Sequence, residues 1–200
     1  MSRSFYEQLL NEWCPNASTE EALVCVFEKV RDIPYGSTGE RDPEKIVNEN
    51  LGSCSGKHLL LSRLFDLLGI ENKIVTCLHH FNEALPARDD YPDRFKQILL
   101  KHNVIDFHHF INLKRSKRWL NIDATWDCHL RNFGFPVNFG WKGNTDTTVA
   151  VKPIRFYPET DDLIKLKIKL LNELPQHDKE IRAEFLSLLT EWLKEIRSKA

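Results

Sequence analysis

The chain has 200 residues, of which 42% are hydrophobic and 28% are charged, and its formal net charge is −1. This composition is typical of one ordinary globular domain with enough apolar side chains to form a core. A net charge so close to zero gives no general attraction for nucleic acid or for an anionic membrane surface, and no apolar run approaches the length of a membrane span. We therefore expect neither nucleic acid nor a membrane as a partner.

The N-terminal residues lack the apolar region of an export signal, which predicts a cytoplasmic protein. Five cysteines, at positions 14, 25, 54, 77 and 128, form an odd number without close pairing. In a reducing compartment a disulfide framework is not expected. Cys25 and Cys77 lie in apolar stretches, where cysteine behaves as a small core residue. The sequence indicates no cofactor.

Helical spacing of apolar residues indicates several helices in the first third of the chain. Four helices are predicted, near residues 4–13, 20–31, 43–48 and 54–68. Ser18 or Thr19 is placed to cap the second helix, and Pro43 is placed at the start of the third. Gly69 follows the fourth helix and is suited to end it.

The remaining elements alternate between strands, loops and helices. Strands are predicted at 73–78, 106–113, 118–125 and 147–151, with extended structure continuing to 157, a loop at 86–92, and helices at 93–101, 160–174 and 177–198. We assign residues 1–158 to a catalytic core with N-terminal helices. Residues 159–200 form a C-terminal helical extension that we expect to pack on the same core.

The two strands around Lys114–Lys117 form a predicted hairpin with a defined register. An even turn centred between Arg115 and Ser116 places His108 directly opposite Asp123. Their side chains then share a polar and aromatic face suited to a cleft, whereas His109 points to the core face. A turn with an odd number of residues would break this pairing.

Cys54 follows Gly52-Ser53 and begins the predicted fourth helix. A thiol at a helix N-terminus lies at the positive end of the helix dipole, beside backbone N–H groups without intrahelical partners, which favours the nucleophilic thiolate. A cysteine nucleophile needs a base, and the base needs a partner that fixes its tautomer. Cys54, His108 and Asp123 have the residue types for these three roles.

Attack of this cysteine on an amide or ester carbonyl would form a thioester through an oxyanion. The backbone N–H of Cys54 is the first candidate donor to the oxyanion, and the second is Asn48, Asn50 or an indole N–H. His58 lies one turn after Cys54 on the same helix face. It is either an alternative base or, as we favour, a packing residue that supports the site.

Three aromatic residues are candidates to line the substrate cleft: Phe110, Trp126 and Trp141. For the two tryptophans, anchoring of the loop that follows the hairpin is an equally good interpretation. A zinc site formed by Cys54, Cys128 and nearby histidines is a further alternative. The ligand spacings typical of zinc sites are absent, so we predict no metal.

These motifs, taken in order, resemble the transglutaminase-like superfamily, which has a papain-like core. The resemblance covers roughly Thr19 to Thr125. It is carried by Gly52-Ser53-Cys54, by the Leu-rich helix ending Leu67-Leu68-Gly69-Ile70, by His108-His109-Phe110-Ile111-Asn112-Leu113 and by Trp119-Leu120-Asn121-Ile122-Asp123-Ala124-Thr125. The chain departs from the family pattern at Phe110, where the family usually has Trp, and at Ala124, where it commonly has Pro.

The resemblance implies an α+β fold in which a central helix packs on an antiparallel sheet, here with additional C-terminal helices. By match of motif it implies that Cys54 is the nucleophile, His108 the base and Asp123 the residue that orients the base. The family includes amide-cleaving hydrolases, acyl-transferring cross-linkers and members that only bind.

We therefore expect a cysteine enzyme that cleaves or transfers an amide or acyl group of a protein, a peptide or a small amide. Hydrolysis is favoured because no site for an acyl acceptor is recognisable. The alternatives are a non-catalytic protein-binding domain on the same scaffold and the Cys/His zinc-binding protein. The sequence leaves the oligomeric state open.

Overall fold

The computed structural model describes residues 3–160 and 162–199. Within these residues the helices are α1 (Arg3–Trp13), α2 (Thr19–Asp32), α3 (Pro43–Glu49), α4 (Cys54–Leu67), α5 (Asp93–Lys101), α6 (Leu163–Glu173) and α7 (Gln176–Arg197). The strands are β1 (Asn72–His80), β2 (Ile105–Arg115), β3 (Arg118–Ile122) and β4 (Arg155–Phe156). Two short 3-10 helices occupy Phe81–Glu83 and Cys128–Phe133. The helix predicted from residue 160 includes residue 161, which lies outside the described residues.

The strands form one antiparallel sheet in the order β3-β2-β1-β4. Helix α4 packs on β2 and β1 and also contacts α1, α2 and α3, so it is the central helix of the fold. Helices α6 and α7 both contact β2, and α7 also contacts α5. This architecture confirms the predicted α+β class. In the described ranges, no helix combines the length and apolarity that crossing a bilayer requires.

Two hydrophobic clusters fill the interior. The first joins α1, α2 and α4 to the sheet and includes Phe27, Leu60, Leu61, Leu64, Phe65, Ile111 and Ile122. The second joins the sheet to α5 and α7 and includes Cys54, Cys77, Phe95, Phe110, Trp126, Phe185 and Trp192. Helix α4 therefore contributes its apolar body to the first cluster and its first residue, Cys54, to the second.

Close packing at the start of α4 depends on Gly56. A Cβ atom at this position would lie 2.0 Å from Cδ1 of Ile46, a buried residue of α3. The missing side chain thus lets α3 pack directly on the first turn of α4.

Ser18 caps α2 in a capping box with Glu21, so of the two predicted caps, Ser18 and Thr19, Ser18 is the one observed.

The β2–β3 hairpin differs from the predicted register by two residues. Arg115 pairs with Arg118 across a turn formed by Ser116 and Lys117, and Ser116 adopts a positive φ of 54°. A shift of two residues preserves the face of every side chain, because side chains alternate with a period of two along a strand. His108 and Asp123 therefore remain on one face, but as diagonal rather than directly opposed neighbours.

The strand predicted at 147–151 is wrong. The N–H groups of this segment bond mainly to side chains and loops rather than to a neighbouring strand: Thr148 N–H donates to Oδ1 of Asn138 (2.8 Å), and Ala150 N–H donates to Oδ2 of Asp123 (2.8 Å). The segment therefore supports the Asp123 carboxylate. The fourth strand of the sheet is β4, which begins a few residues later and pairs with β1.

A disulfide joins Cys14 to Cys25, with Cα atoms 6.1 Å apart, which corrects the expectation that these cysteines are free. Cys14 follows α1 directly and Cys25 lies in the second turn of α2, so the helix–turn–helix brings together two residues that are distant in sequence. Disulfides persist mainly in oxidising compartments. The cytoplasmic location stays a prediction from the sequence.

Candidate active site

The chain segment before Cys54 is fixed by backbone hydrogen bonds. Gly52 N–H donates to the carbonyl of Pro34 (3.0 Å), and Gly36 N–H donates to the carbonyl of Gly52 (3.2 Å), which places Gly52 beside Tyr35 in a short parallel bridge. Ser53 is the N-cap of α4 but makes no side-chain capping hydrogen bond. The first-turn N–H groups beside Cys54 are thus left without this common partner.

His108 and Asp123 form a direct hydrogen bond. Nε2–H of His108 donates to Oδ2 of Asp123 at 2.7 Å, and both side chains are buried. The carboxylate also accepts from the backbone N–H groups of Thr125 (2.9 Å, at Oδ1) and Ala150 (2.8 Å, at Oδ2). Burial alone would raise the pKa of Asp123, but the charge and hydrogen bond of His108, together with the Ala150 N–H, hold it well below its usual range. Asp123 is therefore ionised and fixes the ring orientation of His108.

Cys54 and His108 lie in one small cavity and influence each other's protonation. Burial by itself raises the pKa of the Cys54 thiol, yet the cations of Lys167 and His108 outweigh burial and lower the pKa to about 7. Burial by itself lowers the pKa of His108, yet Asp123 and Cys54 raise it to about 10. Between these values the pair exists as thiolate and imidazolium, the reactive form of a cysteine nucleophile.

His58 has a supporting position. Its Nδ1–H donates to the carbonyl of Cys54 (2.8 Å), and its Nε2 accepts from the N–H of Ala124 (2.8 Å). Burial lowers the pKa of His58 to about 4, which keeps the ring neutral, as these two bonds require. Since both ring nitrogens are occupied, His58 joins α4 to the end of β3, and its placement favours the packing role over that of a base.

The cavity around the thiol is narrow and contains unpaired polar groups. The space open to the centres of water-sized molecules is about 10 Å³, room for about one water. Three buried polar atoms on its lining residues have no hydrogen-bond partner: Nε1 of Trp126, Oγ1 of Thr125 and Nδ1 of His79. Leaving a buried polar atom unpaired costs about 1–3 kcal/mol, so their concentration here indicates a place for a polar ligand. The cavity-lining residues are Tyr35, Cys54, His79, Phe81, Asp106, His108, Thr125, Trp126, Ala150 and Val151.

Of the three predicted cleft residues, only Trp126 lines this cavity. Phe110 is buried behind His108, with ring centroids 6.4 Å apart. Trp141 belongs to the first hydrophobic cluster, where it packs against Phe27 and its Nε1–H donates to the carbonyl of Thr145. The structure therefore places Trp141 away from the thiol, as the anchor of its loop.

The predicted oxyanion donors at the end of α3 do not line the cavity. Asn48 lies on the exposed side of α3, and Asn50 is the exposed residue that ends this helix in a left-handed conformation. Neither residue lines the cavity around Cys54. Of the predicted second donors, the indole of Trp126 belongs to a residue that lines the cavity together with Cys54.

Lys57 is a buried residue of the site that sequence reasoning missed. Its Nζ donates to the carbonyls of Arg31 (2.8 Å), Ile33 (2.7 Å) and Thr125 (2.8 Å). One ammonium group thus ties the end of α2 to the segment that carries Trp126. The sequence does contain a signal that Lys57 is buried. Its helical spacing from Leu60, Leu61 and Leu64 places it on the buried face of α4.

Replacing Lys57 with methionine is expected to lower the free energy of unfolding by at least about 3 kcal/mol, because three buried carbonyl groups lose their donor together. Urea denaturation of the wild type and of Lys57→Met measures the effect. Lys169→Met, on the exposed face of α6, is the matched control and should remain within about 0.5 kcal/mol of the wild type. A Lys57→Met protein as stable as this control would contradict the role assigned to Lys57.

The described residues do not group three or more His, Cys, Asp or Glu side chains in an arrangement that could hold a metal ion. Cys128, a candidate zinc ligand in the sequence, is instead half-buried, and its backbone N–H donates to Oδ1 of Asp32.

Comparison with known proteins gives little further information. No protein-family model matches the chain, and no curated protein sequence matches it. Among solved structures, the chain is similar to the crystal structure named "Putative Cysteine Protease from Cytophaga hutchinsonii", with 16% sequence identity and a TM-score of 0.42. The match covers 61% of this chain and 37% of that one, so the chain spans little more than a third of the length of its structural neighbour. A likeness of this extent assigns the chain neither activity nor substrate.

Proposed function

We propose that this protein is a cysteine-dependent enzyme of the transglutaminase-like type, which cleaves or transfers an amide or acyl group through a thioester on Cys54. One observation carries the proposal: a buried cysteine at a helix N-terminus shares a cavity with a histidine whose far nitrogen is bonded to a buried carboxylate. This arrangement provides a nucleophile, a base and a group that orients the base.

In the proposed reaction the Cys54 thiolate attacks the carbonyl carbon of the substrate, and the carbonyl π electrons move to oxygen. The resulting oxyanion accepts hydrogen bonds from the backbone N–H of Cys54 and from Nε1–H of Trp126. The C–N or C–O bond then breaks as the imidazolium of His108 donates its proton to the leaving group. This step leaves a thioester on Cys54 and a neutral imidazole.

Hydrolysis completes the cycle when His108 removes a proton from water as the water oxygen bonds to the thioester carbon. The C–S bond then breaks, the acyl group leaves as a carboxylic acid, and the thiolate and the imidazolium are regenerated. Water is favoured over an amine acceptor because no site for an acyl acceptor is recognisable in the sequence. In the structure the cavity has room for about one water-sized group. The aromatic rings of Tyr35 and Trp126, with centroids 4.8 Å apart, both border this space. A protein, peptide or small amide substrate therefore requires the cavity to widen before its carbonyl reaches the thiol.

The test of this proposal is the reactivity of Cys54 toward two small electrophiles, measured across pH by mass spectrometry of the Cys54 peptide. In the wild type, alkylation by iodoacetamide should increase with pH through about 7, because the lowered thiol pKa gives thiolate above that value. Incubation with p-nitrophenyl acetate should give an acetyl adduct on Cys54 that water then removes.

His108→Gln removes the cation beside the thiol and should raise the alkylation midpoint, because the cation of Lys167 is then left alone to oppose the unfavourable effect of burial. A wild-type Cys54 that titrates near the ordinary value, is unchanged by His108→Gln and forms no acetyl adduct would refute the enzyme and favour a binding domain on this scaffold.

A further inference from the structure

A buried cluster of charges lies beside the cavity, and two of its members come from the C-terminal helices. Asp106 on β2 accepts from Nε of Arg182 on α7 (2.8 Å), and Nζ of Lys167 on α6 lies 3.5 Å from the same Oδ1 atom. Lys167 also donates to the backbone carbonyl of Phe107. Lys167 is only 3% exposed and Asp106 only 4%. Two cations therefore share one carboxylate, which leaves one positive charge unbalanced in a buried place.

Lys167 carries the greater part of this unbalanced charge. Arg182 makes the closer contact with Asp106, whereas the nearest acceptor of Lys167 is the uncharged carbonyl of Phe107. A buried cation without a full counter-charge is strongly unfavourable, so it favours any nearby group that is able to become an anion.

The order of groups around the cavity identifies that anion. Asp106 and His108 are two residues apart on β2, on the face that borders the cavity with Cys54. Asp123 lies beyond His108, bonded to its far nitrogen. When Cys54 and His108 are both neutral, this uncharged pair has the surplus cation of Lys167 on one side and the carboxylate of Asp123 on the other. Transfer of the thiol proton to His108 makes the charges alternate in sign, and this alternation stabilises the ion pair.

We propose that Lys167 supplies the positive charge that holds Cys54 as a thiolate, so that the C-terminal helices α6 and α7 form part of the active site. This inference rests on the proposed function, since it assigns the origin of the nucleophile's reactivity. Lys167 is a positioning residue in this scheme, because it acts through the charge state of Cys54 and not by contact with substrate.

The other titratable groups around the thiol do not supply this charge. Burial lowers the pKa of His79 to about 3 and raises the pKa of Cys77 to about 12, so both are neutral near pH 7. Burial also raises the pKa of Tyr35 well above its ordinary value. The pKa of the Cys54 thiol is lowered against the effect of burial by the charge of Lys167, which is the largest single effect, and by the charge and hydrogen bond of His108.

The experiment measures the pH dependence of Cys54 alkylation by iodoacetamide in Lys167→Gln and Lys167→Met. Both variants should raise the apparent pKa of Cys54 by about one unit or more, which slows alkylation about tenfold at pH 6.5. Glutamine retains an N–H donor for the Phe107 carbonyl, so a merely structural role would be rescued by Lys167→Gln. Lys169→Met removes an exposed lysine of the same helix and should leave the profile unchanged.

Asp106→Asn provides a test of opposite sign. It removes the carboxylate but keeps both cations, so the apparent pKa of Cys54 should fall. Distortion of the site would shift the apparent pKa of Cys54 in the same direction in Lys167→Gln and in Asp106→Asn. The proposed charge effect shifts this pKa upward in Lys167→Gln and downward in Asp106→Asn. If thermal melts show that the Lys167 variants do not fold, Asp106→Asn alone tests the inference: a lower apparent pKa of Cys54 supports it, and an unchanged or higher pKa overturns it.

The outcomes separate this inference from the proposed function. A wild type that forms the acetyl adduct and has a lowered thiol pKa, together with a Lys167→Gln profile identical to that of the wild type, overturns only the role of Lys167. A wild-type Cys54 with an ordinary pKa and no acetyl adduct overturns the proposed function and this inference with it.

Discussion

Replacing Asp123 with asparagine is expected to reduce acetylation of Cys54 by p-nitrophenyl acetate by about 10⁴-fold, the size of loss that follows when the orienting carboxylate of a Ser–His–Asp enzyme becomes an amide. An amide retains the size of the side chain but lacks the negative charge that stabilises the imidazolium of His108. The pKa of His108, raised to about 10 with Asp123 in place, should fall, and the thiolate should lose part of its ion pairing.

Stopped-flow release of p-nitrophenol gives the acetylation rate of Asp123→Asn, and the pH profile of alkylation reports the accompanying change in thiol pKa. Asp93→Asn changes an exposed carboxylate and serves as the control. Because Asp123 also accepts from Thr125 and Ala150, a thermal melt must show that the variant is folded at the assay temperature. A folded Asp123→Asn protein that is acetylated within tenfold of the wild-type rate would contradict the assigned role of Asp123.

A second large effect on the acetylation rate of Cys54 is expected from Trp126→Phe. Phenylalanine retains an aromatic ring between Tyr35 and Phe135 but lacks the indole N–H, which is unpaired in the structure. If this N–H stabilises the oxyanion, acetylation of Cys54 should slow by about 10²- to 10³-fold, the usual cost of losing one oxyanion donor. Alkylation by iodoacetamide should be unchanged, because displacement of iodide at a saturated carbon forms no oxyanion.

The contrast between the two reagents isolates the donor from packing effects. Trp141→Phe is the matched control, since the indole N–H of Trp141 is already bonded to the carbonyl of Thr145 and lies outside the cavity. Its acetylation rate should equal that of the wild type. Parallel losses of acetylation and alkylation in Trp126→Phe would instead show that Trp126 acts by packing, and the oxyanion would then need another second donor.

Local patterns in the sequence predicted most of the elements well. The predicted bounds of α2, α4 and α5 are close to those observed. The signals behind them, the apolar spacing, the cap at Ser18 and the residues that flank α5, act within one turn or two of a helix. The face shared by His108 and Asp123 was also predictable. A register error of two residues does not change it, since side chains alternate along a strand.

The errors arose where long-range contacts outweigh local preference. Residues 147–151 have β-branched side chains suited to a strand, but after Thr147, whose N–H reaches β3, the side chains of Asn138 and Asp123 accept from Thr148 and Ala150. Cys14 and Cys25 meet only because α1 and α2 pack as a hairpin. Trp126 and Trp141 are indistinguishable by residue type, and only the path of the loop separates their positions.

The sequence by itself determined the start of α4 at Cys54 and the strand face shared by His108 and Asp123, because each follows from periodicity or spacing within one element or one hairpin. The α+β class was implied by the resemblance that its motifs carry. Tertiary structure alone decided which groups surround the thiol. Lys167 and Arg182 lie far from Cys54 in sequence, and their charges meet Asp106 only after α6 and α7 fold back on the sheet. Electrostatic effects depend on distance in space, so no local pattern encodes them.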